Sequence, residues 1–515
     1  MDKVKHLIPQ ILILVITFLL YFYLRVCYRE SVFFDFDMPR VALITQDFIK
    51  SGTYLTSQSY VQESVWKNIP WGPSLIYFYS FFLNISSDPL VVSDLLTIFN
   101  FIGIITIVWL GWKFFSPNVG VFSGLLLSTN FYWVTYSRII YQPSQLVTFQ
   151  IIAMLLTIIS VREKNNKSIF FLPIVWVILF QIYIPTYAFI FVSLFYMALN
   201  YKKLNIKYFA LGIIFSSILL IPTLYYYSNN PIYFERFINA PKLFTPPEKT
   251  FTERLYKVVL SYFNIPVGGY LKWQTGYAYN DFVNSLGKIK VVESMIVSIF
   301  IFMNFFIFKS SFLKAKNILK QMVFSWSFVV VLSLMVLWVT DLLPRYFLIT
   351  IPPAMLLISI GVNDLIIKFN KNTFVKCLLY LLPLFIALYW TVLNIKYDNF
   401  VRDYTYPYGK MYDVAETPYI HFINAVNFIN YDAKNKNCNN YYISNDLSDL
   451  RSVWMETDYV YRYITPKVLN GQTLNNINDE CIYFLVHNNL EIQSRYGSLK
   501  NRRYGPFFVV NQIEK

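Results

Sequence analysis

The sequence predicts an all-α polytopic membrane domain of about eleven transmembrane helices followed by a small α/β domain, and three observations carry that prediction. The 515 residues are 56% hydrophobic, 20% aromatic and only 14% charged, whereas soluble domains carry about 25% charged residues. Apolar runs near the roughly 20 residues that a bilayer core requires recur from the N-terminus to residue 396. Over 397–515 the texture changes, with Asn, Asp, Lys and Tyr punctuating short apolar runs as in a water-soluble domain.

The first apolar run, 7–26, is too long and too poorly followed by small residues for a cleaved signal peptide, and it reads as a retained anchor. The next, 71–86, is ambiguous, and the loop charges decide it. If it crosses, the basic loops 161–167, 201–207 and 309–320 all fall opposite the basic N-terminus. If it lies along the external surface as an amphipathic helix, those loops join the N-terminus in the cytoplasm, together with Lys113 and the segment 368–376. The second arrangement obeys the positive-inside rule and is adopted. The further spans are then 91–112, 119–137, 143–161, 168–182, 184–200, 207–228, 290–309, 320–340, 345–368 and 374–396. The N-terminus is expected in the cytoplasm and the domain 397–515 outside it, on a multi-pass protein of the cell membrane, with long external loops at 27–90 and 229–289.

Within this layout the pair 168–182 and 184–200 turns tightly around Pro185 and is short enough for one member to be broken. In the second external loop, 251–263 places Phe251, Leu255, Val258, Val259 and Tyr262 on one helical face, the pattern of a helix lying in the membrane interface. The aromatic residues Trp66, Trp71, Tyr77, Phe78 and Tyr79 of the first loop read as an interfacial belt. In the tail, a helix-like stretch at 418–433 alternates with strand-like stretches at 440–446, 481–487 and 507–513.

Composition also excludes function classes. The net charge of +15 sits in loops of a membrane protein and does not call for nucleic acid. No glycine-rich nucleotide loop is present. Of the four cysteines, Cys27 and Cys377 lie in or beside spans, while Cys438 and Cys481 fall in the tail and could pair in an oxidising space. The three histidines, His6, His421 and His487, are isolated and suggest no metal centre. Against a lipid or sugar transporter or flippase, no inverted pair of broken spans is visible, and Asp94, Glu293 and Asp364 lie near span ends rather than at midplane.

Chemistry concentrates at the external ends of spans. In "SVFFDFDMPR", Asp35 and Asp37 stand just past the first span, and the segment that follows reads as a helix with Pro39 in its first turn and Gly52 just past its end. A carboxylate at such a helix start is stabilised by free backbone N–H groups; the plainer reading is an N-cap beside solvated surface. "SRIIYQP" and "DLLPRYFLITIPP" place Arg138 and Arg345 at external edges, where arginine often serves only as an anchor. Together, however, one carboxylate and several guanidiniums suit a lipid phosphate or diphosphate, held by the planar fork, beside a base able to deprotonate an acceptor.

The segments "DMPRVALITQDFIKSGTYL", "WGPSLIYFY", "SRIIYQP" and "PRYFLITIPPAMLL", in that order, resemble the bacterial glycosyltransferases of the GT-C fold, the group containing aminoarabinosyl and protein O-mannosyl transferases. The likeness covers most of the membrane part and not the tail. It implies inverting transfer from a polyprenyl-phosphate sugar to a glycan, lipid or protein acceptor outside the membrane. Asp37 takes the place of the family Asp, Met38 replaces its Glu, and Arg40 matches its Arg. Gln142 before Pro143 stands where the family often has a second acid. Both departures remove carboxylates, so the resemblance implies no metal and no other cofactor, with Asp37, seconded by Asp35, as the base. Arg345 and Tyr346 match the family Arg-Tyr expected to hold the donor phosphate, joined by Arg40 and Arg138. Lys67 is the nearest basic residue to the Lys or His that precedes the aromatic helix in the family. A polymerase or ligase of surface glycans, using a diphosphate-linked donor, shares this fold and chemistry.

Overall fold

A computed structural model describes residues 8–34, 37–52, 72–183, 186–232, 235, 251–269, 271, 279–287, 289–314, 317–336, 344–402, 419–436, 442–444, 482–487, 502–504 and 507–511. Asp35, Lys67, Trp66, Trp71, Pro185, Cys438, Cys481 and His6 lie outside them.

The chain enters as α1 (Ile8–Val26) and makes a single 3-10 turn over Arg29–Ser31 before α2 (Asp37–Ser51). Gly52 then stops α2, taking φ 61° while its N–H returns to the Phe48 carbonyl at 3.0 Å, the left-handed cap that glycine adopts without strain. Next come α3 (Ser74–Leu83) and α4 (Pro89–Phe114). Asp88 starts α4 by accepting from the Leu90 N–H at 2.8 Å, with Pro89 in the first turn. Ser116 and Pro117 repeat that signal at α5 (Pro117–Thr129).

The expected span 119–137 is in fact two helices, because Asn130 ends α5 and caps α6 (Phe131–Tyr136) through the Trp133 N–H, while its Nδ2 donates to the Pro266 carbonyl at 2.8 Å. Then follow α7 (Leu146–Glu163), α8 (Asn166–Ile182), α9 (Tyr187–Leu199) and α10 (Ile206–Asn229). The segment between α10 and the next long helix contributes α11 (Phe251–Asn264) and α12 (Tyr279–Leu286). The last membrane helices are α13 (Ile289–Phe308), α14 (Ile318–Val336), the short α15 (Pro344–Phe347), α16 (Ile351–Lys368) and α17 (Thr373–Arg402). The tail shows α18 (Tyr419–Asn435) and strands β1 (Tyr442–Ser444), β2 (Ile482–His487), β3 (Arg502–Tyr504) and β4 (Phe507–Asn511).

Among the described residues, 7 helical segments are long and apolar enough to cross a membrane, while α3, α8 and α9 are apolar but shorter. The 10 residues of α3 reach about 15 Å at the helical rise, half of a bilayer core. Nor does α3 lie on a surface. It packs against α2, α4 and α8 and buries Leu75, Ile76, Tyr79, Phe82 and Leu83. Tyr79 is therefore a core residue and not part of an interfacial belt.

The bundle closes around α5 and α16. Small residues let α4 approach α5: a Cβ on Gly120 would stand 2.5 Å from the Val108 carbonyl oxygen, and one on Gly111 would stand 2.7 Å from the Gly120 Cα. Such backbone-to-backbone crossings are how membrane helices associate where lipid removes the hydrophobic drive. By contrast α10 packs mainly on α8 among the described residues and exposes Ile214, Phe215, Ile218 and Ile221, an apolar face suited to lipid.

Two further expectations change. The inward face of α11 is Arg254, Val258, Ser261 and Tyr262, whereas Leu255 is 40% exposed. This helix packs on α13, α14 and α15, with the Tyr262 hydroxyl 2.8 Å from both Asn304 Oδ1 and Ser327 Oγ. Polar partners on neighbouring helices, rather than a lipid interface, select that face. In the tail the strands form one sheet in the order β1-β2-β4-β3. Only β1 and β2 run parallel, with Ile443 opposite Tyr483, and β4 pairs antiparallel with both β2 and β3. The arginine-rich β3 escapes an apolar-pattern search. His421, on α18, is buried beside the Val401 carbonyl.

Candidate active site

One end of the bundle gathers the segment after α1, the start of α2, the α6–α7 connection, α15 and the last turns of α17. Its framework is the connection 137–145. Asn100 Nδ2 donates to the Ser137 carbonyl at 2.7 Å, and Thr148 Oγ1 donates to Asn100 Oδ1 at 2.6 Å. The Tyr79 hydroxyl accepts from the Tyr141 N–H at 2.9 Å and lies within 2.7 Å of the Tyr141 carbonyl and 2.6 Å of Ser144 Oγ. A loop laced this tightly by buried groups holds one shape.

From that loop Tyr141 meets Arg345. The Arg345 Nη1 donates to the Tyr141 hydroxyl at 2.5 Å, and the guanidinium carbon lies 5.8 Å from the Tyr141 ring centre and 5.6 Å from that of Tyr346. Tyr346 in turn stacks on Tyr183 with ring centres 6.3 Å apart and 21° between planes. The Gln150 Nε2 fixes the turn after α15 by donating to the Ile349 carbonyl at 2.5 Å. Arg345 is thus a partly buried cation oriented by two aromatic faces, and its planar guanidinium has the shape that pairs with an oxyanion. Behind it α11 packs against α15, and burial holds the Arg254 guanidinium below its ordinary range.

The structure gives Arg138 a different environment. It is 2% exposed, as is Asp398, and the two form an ion pair at 2.7 Å. Its Nη1 donates to the Tyr28 carbonyl at 2.9 Å, and its Nη2 also reaches Ser31 Oγ at 3.1 Å. These partners, together with its burial, place the guanidinium beneath the loops rather than at a phosphate. Arg25 is also buried, donating to Ser137 Oγ at 2.8 Å and the Ser128 carbonyl at 3.0 Å, with the rings of Tyr21 and Trp133 at 4.0 and 4.7 Å.

Asp37 opens α2, and Arg40 follows within its first turn, half-buried. Met38, Val41 and Ala42 anchor this turn in the core. The structure therefore joins Arg345, Tyr346 and the loop of Gln142 in one cluster, and ties Arg138 to the segment that leads to Asp37. Sequence reasoning missed Asp398, Arg25 and Tyr141. The signal for the first two is an ionisable residue within the last turns of an apolar helix; for Tyr141 there is none beyond its place in "SRIIYQP".

At the opposite end, Lys113 pairs with Glu163 at 2.8 Å, Lys320 pairs with Asp364, and Asn118 accepts from Gln10 and donates to the Tyr380 hydroxyl at 3.1 Å. Asp94, near the site end of α4, pairs with Arg29 at 3.1 Å.

No protein-family model matches the sequence, and no curated protein matches it. Among solved structures it superposes on ArnT from Cupriavidus metallidurans bound to undecaprenyl phosphate, with TM-score 0.54 and 11% identity over 98% of each chain. The Archaeoglobus fulgidus oligosaccharyltransferase in its apo form gives 0.48 and 12% identity over 95% of this chain and 70% of that one. The same archaeal enzyme, AglB, with an inhibitory peptide and a dolichol-phosphate gives 0.48 and 10% identity over 98% and 74%. With both chains of the ArnT superposition covered almost end to end, the polytopic helical architecture described above is the GT-C fold.

Proposed function

We propose that this protein is an inverting membrane glycosyltransferase that moves a sugar from a polyprenyl-phosphate donor to an acceptor on the outer face of the membrane. The observation that carries the proposal is the Arg345–Tyr141–Tyr346 cluster, an oriented guanidinium at the bundle end where α2 begins with Asp37. The fold it shares with ArnT, whose structure holds undecaprenyl phosphate, supports a lipid phosphate as its anion. The collection of Lys113, Lys320, the exposed Lys368 and Lys371 and the partly buried Lys376 at or near the other end supports a cytoplasmic N-terminus and about eleven crossings, with the tail outside.

In this reading Arg345 and Tyr346, with Arg40, hold the donor phosphate, and Asp37 is the base, with Asp35 secondary. The acceptor oxygen forms its bond to the anomeric carbon as the bond from that carbon to the phosphate oxygen breaks. The electron pair leaves with the phosphate, whose growing charge Arg345 stabilises, and the acceptor proton passes to the carboxylate. That step needs one base and one anion site, so no metal is assigned a role.

The test uses the purified protein in lipid nanodiscs with a labelled polyprenyl-phosphate sugar and a hydroxyl acceptor. Asp37→Asn should lower turnover by about 10²–10⁴ while donor binding persists, and Asp35→Asn should matter much less. Full transfer by Asp37→Asn with a large loss in Asp35→Asn would reverse the assignment of the pair. Transfer only from a diphosphate-linked donor would favour a glycan polymerase or ligase.

A further inference from the structure

We propose that Asp398 is a positioning residue: with Arg138 it clamps Ser31, and thereby sets the segment that delivers the Asp37 base to the donor site. This deepens the transferase reading and rests on it. Ser31 Oγ lies 2.5 Å from Asp398 Oδ1 and 2.8 Å from the Tyr28 carbonyl, the two acceptors within reach of its single proton, and accepts from Arg138 Nη2 at 3.1 Å, so the hydroxyl closes a three-membered network with the ion pair. The three residues come from three places in the chain: the turn after α1, the exit of α6, and the end of α17. Arg138 adds a second hold on the same turn through the Tyr28 carbonyl.

The clamp heads a run of buried residues. Ser31, Val32, Phe33 and Phe34 are four consecutive residues, each no more than 3% exposed. Phe33 lies against Tyr397, the neighbour of Asp398, with ring centres 6.5 Å apart. The Val32 carbonyl accepts from the Tyr419 N–H at 2.8 Å, and Phe34 meets the Tyr419 ring edge-on. Asp37 begins α2 three residues after Phe34. In this set only Ser31 is held by a charged pair, and it stands at the head of the buried run.

Stability alone does not explain an ion pair at this depth. Two charges that are 2% exposed lose their hydration, and apolar residues of similar volume often hold helices together as well or better. What an apolar pair lacks is directional hydrogen bonding to a hydroxyl on a third element. Arg138 itself belongs to the 137–145 connection that carries Tyr141, which receives the Arg345 hydrogen bond. The clamp therefore sets the base and the phosphate cation in a common frame, where displacement of about 1 Å at a reacting group can cost about 100-fold.

Asp398→Asn leaves Arg138 buried without its counter-charge and is liable to misfold, so the informative variant is Ser31→Ala, which keeps the ion pair and the Arg138–Tyr28 hydrogen bond and removes the hydroxyl's bonds to the clamp and to the Tyr28 carbonyl. In the full-length protein in nanodiscs, Ser31→Ala should lower kcat by about 10- to 100-fold with donor KM unchanged. Ser31→Thr should recover most of it. Hydrogen–deuterium exchange should speed up in the peptide covering residues 28–40 and stay as in the parent in α5 and α16. Parent-like kcat together with parent-like exchange in Ser31→Ala would overturn the proposal, as would a loss that appears only as lower heat stability. If the parent itself transfers no sugar, the functional reading fails, and the exchange comparison alone decides whether the clamp orders the loop.

Discussion

Replacing Arg345 by lysine tests the phosphate site most directly, because it keeps the charge and discards the fork. In the structure the Arg345 guanidinium is aimed by its hydrogen bond to Tyr141 and by the rings of Tyr141 and Tyr346. A lysine ammonium has no plane to stack and no second parallel donor for an oxyanion. Losing one charge-assisted hydrogen bond to the phosphate removes about 1.5–3 kcal/mol, which converts to about 12- to 140-fold weaker binding at roughly 1.4 kcal/mol per decade. Tyr141→Phe keeps the ring but removes the hydroxyl that orients Nη1, and should cost about 0.5–1.5 kcal/mol, the net worth of an ordinary hydrogen bond. The double variant should then lose less than the sum, since Tyr141 acts through Arg345. The assay is equilibrium binding of a polyprenyl phosphate to protein in nanodiscs, backed by heat stability to exclude misfolding. Parent-like affinity in Arg345→Lys would reduce the residue to a membrane-edge anchor and remove the phosphate site from the argument.

Three more outcomes are expected. Asp398→Ala removes one partner of the buried pair and strands Arg138, so it should be about 3–5 kcal/mol less stable than the parent; equal unfolding temperatures in detergent would mean that the buried pair stabilises nothing. Gly120→Ala puts a Cβ 2.5 Å from the Val108 carbonyl, and because that neighbour is backbone the α4–α5 crossing must open, at about 1–3 kcal/mol; an unchanged unfolding temperature would show that the crossing is loose. A cysteine at Lys167, exposed in the first turn of α8, should react only with reagents reaching the cytoplasmic face, and labelling from outside would invert the topology.

What the sequence determined is what is local. Apolar runs of span length set the long helices, and two of these, expected to begin at 91 and 119, begin at Asp88-Pro89 and Ser116-Pro117, local signals in which a capping oxygen and a pre-set φ act within one turn. Gly52 closed α2 where a left-handed residue was needed. The placement of acidic and basic residues at the ends of apolar segments likewise follows from the cost of charge in lipid. What only the tertiary structure decided is which of those charges meet. Arg138 and Arg345 look alike in sequence, each at the edge of a span. One is bound to Asp398, 260 residues away, and the other to Tyr141, 204 residues away. Likewise α11 turns Arg254 inward and Leu255 outward, because Asn304 and Ser327 on two other helices draw its Tyr262 face into the bundle. The hydrophobic period specifies that a helix forms and roughly which side is apolar. The partner that neutralises a buried charge comes from a distant segment, and its position exists only once the helices have packed.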